Sequence, residues 1–569
     1  VAVTAAASSP PPWTCGFSNH TAWENPVEQL RGGTLVIRAD TYDITDQIDW
    51  KRSASPSMRM LLQALKWLEP LITSRQPADL AQARDLVRRW AVDHAGPVPA
   101  DLMAWNDHAA AMRTTTLTCL LLAQPERDTE LEGLIRRHIA WLSDPRNHRP
   151  TGNHGLVSDT ALIGAACALG DGAGVALGQV RTAKALDTVL LQDGAPNEQA
   201  PGYTDYVRHV LLATRRALDA CSAAAPLTGF SALDALPLFM AHATRPDGGA
   251  AMIGNTADRP IPLWGSPKGT PLEYAMSKGT SGTRPDERVG IYPKAGYVFA
   301  RSGWGATRPL VEEDYWTLRF GPGRILHGHA DHTSITMFGR GRQLIVDPGF
   351  TGYARDEWST HLGSPAAHSV TVVQGLEHRD RWGTKLVGQR VRSTDETFAV
   401  RGSPYPGITR TRTVLAAHDR PVTVVVDRSA STRTRTFHQL WHVHPDFRVV
   451  RVTPSGVHLR SGDGFDDLRV ISLAWPGGSP AGVSVTRGRT KPLQGWYVAK
   501  EPVPAPVVGF RSRTRTQLQV ALIIPTAPGA SVAWSLNRLT DRTARLRVSV
   551  DGRTLTADID RDSGWITRR

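Results

Sequence analysis

A chain of 569 residues, 41% hydrophobic and 21% charged, has room for three or four ordinary domains and apolar residues enough to fill their cores. Wholesale disorder is therefore excluded, and the longest apolar run, at 117–123, is far too short for the ~18 residues of a membrane-spanning helix. Sixty-six Lys+Arg against 53 Asp+Glu leave a net charge of +13, a field that concentrates nucleic acid, anionic membrane or acidic polysaccharide.

The chain begins VAVTAAASSPPPWT, uncharged and rich in small residues, as a mature protein does after loss of a secretory signal, so a secreted protein is expected. Residues 1–55 read as an irregular segment. From about 56 the pattern is helical. Leu131, Leu134, Ile135, Ile139 and Leu142 recur at helical spacing, with Asp128 or Thr129 placed to cap the start. Met60, Leu61, Leu65, Leu68 and Leu71 form a second stripe, and Val207, Leu211, Leu212 and Ala217 a third. Successive helical hairpins of this kind pack as an all-α barrel or layered array. Cys15, Cys119, Cys167 and Cys221 show no CxxC spacing, so a cysteine zinc site is not expected. Two disulfides fit, as does a plain core role for Cys119 and Cys167.

A Gly/Pro-rich stretch at about 245–290 reads as an interdomain linker carrying a loop. Beyond it the period changes to two. Segments such as YWTLRFG, HSVTVV, RPVTVVVDRS and LQVALIIP are short β-branched runs bounded by turns. The expected organisation is an irregular 1–55, a helical domain at 56–285 and an antiparallel β domain at 286–569. The last is one large sandwich or two stacked smaller ones. Arginines in RTRTV, RSRTRTQ and DRTARLR alternate with Thr, Val and Leu, which assigns most of them to the outward faces of strands.

The densest chemical signal is LHGHADHTSITMFGRGRQLIVDPGF. His327, His329 and His332 crowd six positions beside Asp331, and Asp347 follows a strand later. On an extended chain His327 and His329 point to the same side. Imidazoles with a downstream carboxylate and a further histidine, His368, form a reasonable zinc set. A second signal is TGNHG, which puts Asn153 and His154 at a loop-to-helix junction. The third is QDGAPNEQAPGYTDYVRHV, with Glu198, Gln199, Tyr203 and Tyr206 ahead of a helix. If helical, the two tyrosines share a face. His438, His442 and His444 lie on one strand face without an acidic ligand set and are read as structural.

Taken together, NHG at 153–155, the EQ-x-P-G-Y-x-x-Y stretch ending at Tyr206, HGHADH-x-S with its G-R-x-L-I-V-D-P-G strand, and AHSVTV at 367–372 resemble the heparinase II/III-like polysaccharide lyases. That resemblance spans most of the chain from about residue 55. It implies an incomplete (α/α) toroid followed by an antiparallel β-sandwich, and β-elimination at a uronic acid of an acidic polysaccharide. It assigns Asn153 to the uronate carboxylate, His154 and Tyr203 to proton transfer, and His327 to the catalytic centre, with Tyr206 competing with Tyr203 for the phenol role. It assigns His329, Asp347 and His368 to a zinc ion, most simply a structural one. Trp105, His108, Glu198 and Gln199, with Tyr206, are candidate substrate contacts. The resemblance also marks a departure, since Asn255 stands where many relatives carry an acidic residue.

The chemistry is physically sensible. The C5 proton of a uronate is a poor acid because the adjacent carboxylate resists a second negative charge, and donors aimed at the developing enolate lower that barrier. A phenol near positive charge can remove that proton and then protonate the departing oxygen. Glycosaminoglycan such as heparan sulfate is the favoured substrate, with alginate or another polyuronate as the alternative. Two other classes stay open: a zinc hydrolase built on His327, His329 and Asp347, and a non-catalytic glycan-binding protein.

Overall fold

The computed structural model describes residues 25–37, 40–52, 56–95, 103–150, 152–221, 228–260, 268–353, 356–475 and 480–569. Cys15 and most of the N-terminal segment lie outside the described residues. The described part of that segment is regular: a short helix, Val27–Arg31, precedes a hairpin that pairs Thr34–Ile37 with Asp40–Asp43.

The chain divides into two compact units. One holds the described residues up to Leu190 together with Asp205–Asp234; the other holds Leu191–Thr204 and Ala235–Arg569. The helical unit is an incomplete (α/α) toroid of hairpins. Its main helices include Pro77–Asp93, Asp107–Ala123, Thr129–Ser143, Gly152–Ala168 and Gly172–Val189. Asp128 caps the helix Thr129–Ser143 by accepting from the Leu131 N–H, and the predicted stripe is its buried face. The stripe at 60–71 is not one helix, because Leu65 adopts φ 54° and splits it into Pro56–Gln63, a 3-10 turn at Lys66–Leu68, and Glu69–Ser74. Cys167 is bonded to Cys221, tying the C-terminal ends of two helices together. It is therefore a crosslink, not a free core thiol. Among the described residues no helix is long and apolar enough to cross a membrane.

In the second unit, period-two patterning builds layers. A five-stranded antiparallel sheet runs from Val289 to Ile345, a ten-stranded sheet follows, and a four-stranded sheet covers Val532–Arg568. Strand Ile408–Ala417 shows the logic. Val414 and Ala416 face the core shared with the first sheet, whereas Leu415 and Ala417 face the core shared with the last. Strand Val507–Thr526 repeats this with Ala521 and Ile523 on one side and Val520, Leu522 and Ile524 on the other. Burial on both faces explains why these strands read as continuous apolar runs.

The stretch expected to be a linker is part of this unit. Ala250, Ala251 and Ile253 are at most 2% exposed and pack with Tyr297, Phe299 and Phe338 on the outer face of the five-stranded sheet. Its glycines and prolines serve tight turns, including the bridges Thr244–Ala250 and Gly249–Pro260.

Candidate active site

The HGHADHTS segment leaves the first sheet as a loop and returns to it at Ile335. Leu326 at φ 45° and Thr333 at φ 78° both occupy the left-handed region, which is costly for a side chain and worst for a β-branched one. Buried hydrogen bonds hold the Thr333 end in place. The Thr333 N–H donates to the Arg319 carbonyl at 2.7 Å, and Ser334 donates to the Asp331 carbonyl at 2.8 Å. Arg410 donates to the carbonyls of Thr371 and His332, and Arg412 to those of Thr333 and Ser369. Arg412 also makes a two-pronged pair with Asp427 at 2.7 and 2.6 Å. Arg410 and Arg412 are 2% and 0% exposed, which corrects their assignment to an outward strand face. The arginines of RSRTRTQ do face outward.

Tyr203 ends a 3-10 turn, Pro201–Tyr203, immediately before the helix Thr204–Ala220. Its ring lies flat on His327, with centroids 3.7 Å apart and planes 8° apart. His327 Nδ1 lies 2.7 Å from Glu198 Oε2. A carboxylate only accepts, so Nδ1 carries a proton and donates it to Glu198. The backbone reinforces this: the His327 N–H donates to the Glu198 carbonyl at 3.2 Å, and the Asn255 N–H donates to the His327 carbonyl at 2.9 Å. Glu198 is 1% exposed, with its carboxylate against His327. Gln199 is equally committed. Its amide donates to the carbonyls of Pro322 and Gly323 and accepts from the Ile325 N–H. The central glycine of HGH is required because a Cβ on Gly328 would sit 2.2 Å from Gln199 Oε1.

The same loop, four residues past His327, contributes to a buried donor set. Asp331, Asp347 and His368 bring ligand atoms within 4.8 Å of one another. Both Asp331 oxygens lack a hydrogen-bond partner, and Ser334 Oγ donates to Asp347 Oδ1 at 2.9 Å. Burial raises Asp331 to about 6 and holds Asp347 well above the carboxylate range. His329 enters differently from the expected set. Its Nε2 meets Asn255 Oδ1 at 2.9 Å and its Nδ1 faces His368 Nε2 at 3.2 Å. His368 Nδ1 donates to the Ser364 carbonyl, so two lone pairs face each other across that 3.2 Å. Burial pushes His368 down to about 3 and His329 well below the ordinary imidazole range, which keeps both as neutral ligands. Paired carboxylates, neutral imidazoles and unpartnered buried oxygens fit a divalent cation such as zinc. Asp331 thus belongs to the compact group, and His329 joins it through His368. The three group members are at most 1% exposed, which suits a structural ion and leaves little room for substrate.

In the helical unit, Asn106 caps Asp107–Ala123 through the His108 N–H and sets Asp107 and His108 in the first turn. Asp107 Oδ2 receives His154 Nδ1 at 2.9 Å and Arg149 Nε at 3.0 Å. His154 stacks on His108 with centroids 4.4 Å apart, and the Tyr206 hydroxyl lies 3.2 Å from His108 Nε2. Burial, followed by the charge of His154, pushes His108 down to about 3, so it is neutral. Gly155 of NHG is needed because a Cβ there would lie 2.0 Å from the Arg149 carbonyl oxygen. Asn153 is 6% exposed in the first turn of Gly152–Ala168. Trp105 packs among Trp90, His138 and Trp141, with the Arg113 guanidinium 5.3 Å from its ring. Tyr203 and Tyr206, three apart in sequence, therefore have different partners: His327 for the first and His108 for the second.

Sequence reading missed two contributions. Asn255 holds His329, and Arg410 with Arg412 clamps the loop. The inward direction of those arginines is set by strand register, which composition does not reveal.

Residues 285–524 match the family model for the heparinase II/III-like C-terminal domain. No curated protein matches the chain. Among solved structures, a heparinase III is similar over 98% of this chain and 94% of its own, with TM-score 0.80 and 15% identity. A mutant of the heparan sulfate lyase HepC from Pedobacter heparinus covers 94% of this chain and 88% of its own, with TM-score 0.72 and 15% identity. A further heparinase III gene product gives 91% and 88%, with TM-score 0.72 and 15% identity. At that identity the structural likeness speaks for the fold, and the matched domain adds the sequence signal. Residues 285–524 thus match a heparinase II/III-like C-terminal domain, and the chain as a whole has the fold of the heparinase III structures.

Proposed function

We infer that the protein cleaves a uronic-acid-containing polysaccharide by β-elimination, with heparan sulfate as the favoured substrate. The observation that carries this reading is the Tyr203 ring stacked on His327, whose Nδ1 is fixed by Glu198. In the reaction the Tyr203 phenolate takes the C5 proton, the electrons form the C4–C5 double bond, and the C4–O bond breaks. The departing oxygen then receives the proton from the Tyr203 phenol, so one residue serves as base and acid. His327, fixed through Nδ1 by Glu198, orders the phenol and the sugar beside it. Asn153 takes the uronate carboxylate and His154 assists Tyr203 in proton transfer, roles that rest on the NHG motif and the family resemblance. A zinc ion held by Asp331, Asp347 and His368 would neutralise the buried carboxylates and brace the loop that carries His327.

The net charge of +13 supports an acidic polymer as substrate. Secretion belongs to the same reading and draws support from the Cys167–Cys221 bond, since disulfides persist in oxidising compartments. The test is incubation with heparan sulfate, heparin, hyaluronan, chondroitin sulfate and alginate while following the ultraviolet absorbance of the enoyl product. Product from one of them supports the lyase, and its absence from all five with folded protein overturns it. A saturated product bearing an added water would instead favour a hydrolase.

A further inference from the structure

The turn 374–383 is fixed to the loop that carries His327. The Arg324 N–H donates to the Asp380 carbonyl at 2.6 Å, and Arg324 Nε donates to the Gly328 carbonyl at 2.8 Å, one residue past His327. A Cβ on Gly323 would lie 2.1 Å from the Arg381 carbonyl oxygen, so the two segments touch backbone to backbone. The Arg379 N–H donates to the Pro404 carbonyl at 2.8 Å, and that of Trp382 to the Arg379 carbonyl at 3.0 Å. On this rigid base Trp382 is 43% exposed, with the Arg379 guanidinium 4.4 Å from its ring centre.

The charges around the indole are unbalanced. Arg379 and Arg381 are exposed and make no ion pair among the described residues. Asp380 is taken up by His378 Nδ1 at 2.9 Å and Arg324 at 3.3 Å, and Glu377 is the turn's other carboxylate. Ile325 and Leu326, 37% and 49% exposed, lie on the stretch between Arg324 and His327.

We propose that Trp382, Arg379 and Arg381 form a subsite for an anionic sugar residue of the polysaccharide, away from the bond that is cleaved. The inference rests on the lyase reading and names where the polymer is held. The electron-rich indole face packs against the C–H face of a pyranose, and the arginines hold its carboxylate or sulfate with paired donors. Because the subsite grips chain rather than reacting atoms, it stabilises ground and transition states alike and acts mainly on KM.

The test measures binding of heparan sulfate chains to Tyr203→Phe protein, which removes turnover, and KM on the Tyr203 protein. Trp382→Ala and the pair Arg379→Ala/Arg381→Ala are expected to weaken binding of long chains about tenfold, with Trp382→Phe recovering most of it. KM for long chains should rise far more than kcat falls, with little change for the shortest oligosaccharide cleaved. Added salt should erase most of the difference made by the arginines. Unchanged affinity and KM in both variants would overturn the subsite while leaving the lyase intact. If the unsubstituted protein forms no enoyl product, the lyase reading fails separately and the binding series still decides the subsite. A protein that binds no acidic polymer overturns it.

Discussion

The Tyr203 ring lies on the face of His327 at 3.7 Å, and Glu198 Oε2 holds the Nδ1 edge of that imidazole at 2.7 Å. One contact on the ring face and one at the ring edge orient His327, so the phenol and the imidazole are held as one unit. Tyr203→Phe keeps the stacked ring and removes the proton carrier. It is expected to lower the rate of enoyl formation by about 10²–10⁴-fold while polysaccharide affinity stays within about twofold. Glu198→Gln leaves an acceptor for Nδ1 but removes its charge, and should cost about tenfold in kcat/KM. Absorbance assays and affinity electrophoresis check both. A Tyr206→Phe variant with the larger loss would move the proton transfer to the phenol beside His108.

Metal content tests the buried carboxylates. Asp331 and Asp347 sit together in the buried group, with Arg319 Nε 3.6 Å from Asp331. Elemental analysis of purified protein should find about one divalent ion per chain, absent from Asp347→Asn. Stripping the ion should lower the thermal midpoint, and re-adding zinc at 100 times its Kd should return about 2.7 kcal/mol. A protein without bound metal whose midpoint ignores both chelator and zinc would remove the ion from the account.

Acid should destabilise the protein before its carboxylates titrate. Burial pushes His108 to about 3 and His242 to about 4. The His242 ring is held between the Tyr292 hydroxyl and the Glu287 carbonyl. Below about 6.5 the unfolded chain binds protons at these positions and the folded chain does not, so stability is lost as pH falls toward 4. At pH 5 each contributes a loss of roughly 2 kcal/mol. Denaturant titrations at pH 7 and pH 5 check the sign. A midpoint that rises on acidification contradicts it.

The Arg412–Asp427 pair is wholly buried, and Asp427 also accepts from Thr371 and Gln439. Asp427→Ala strands a charged guanidinium in the core and is expected to cost about 3–5 kcal/mol in a denaturant titration. Because Arg412 carries the carbonyls of Thr333 and Ser369, the same variant should lose bound metal and activity. A variant with near-normal stability would mean that the clamp is redundant.

Much of this molecule was legible in its residues. The change from helical to period-two patterning gave the order of architectures, since each period marks which face of an element meets the core. The histidine cluster and NHG located the chemical loops because such spacing restricts the backbone locally, as Gly155 and Gly328 show. What tertiary structure alone decided was partnership. The stretch at 245–260 looked like a linker because turns and linkers share glycine and proline, yet it is core. Arg410 and Arg412 look like surface residues until strand register turns them inward, and Asp331 meets Asp347 where the paired strands Ile335–Gly339 and Arg342–Ile345 share an end. Tyr203 and Tyr206 differ only in what each meets. Contacts between residues a hundred or more positions apart depend on how layers pack, and local sequence preference carries no information about that packing.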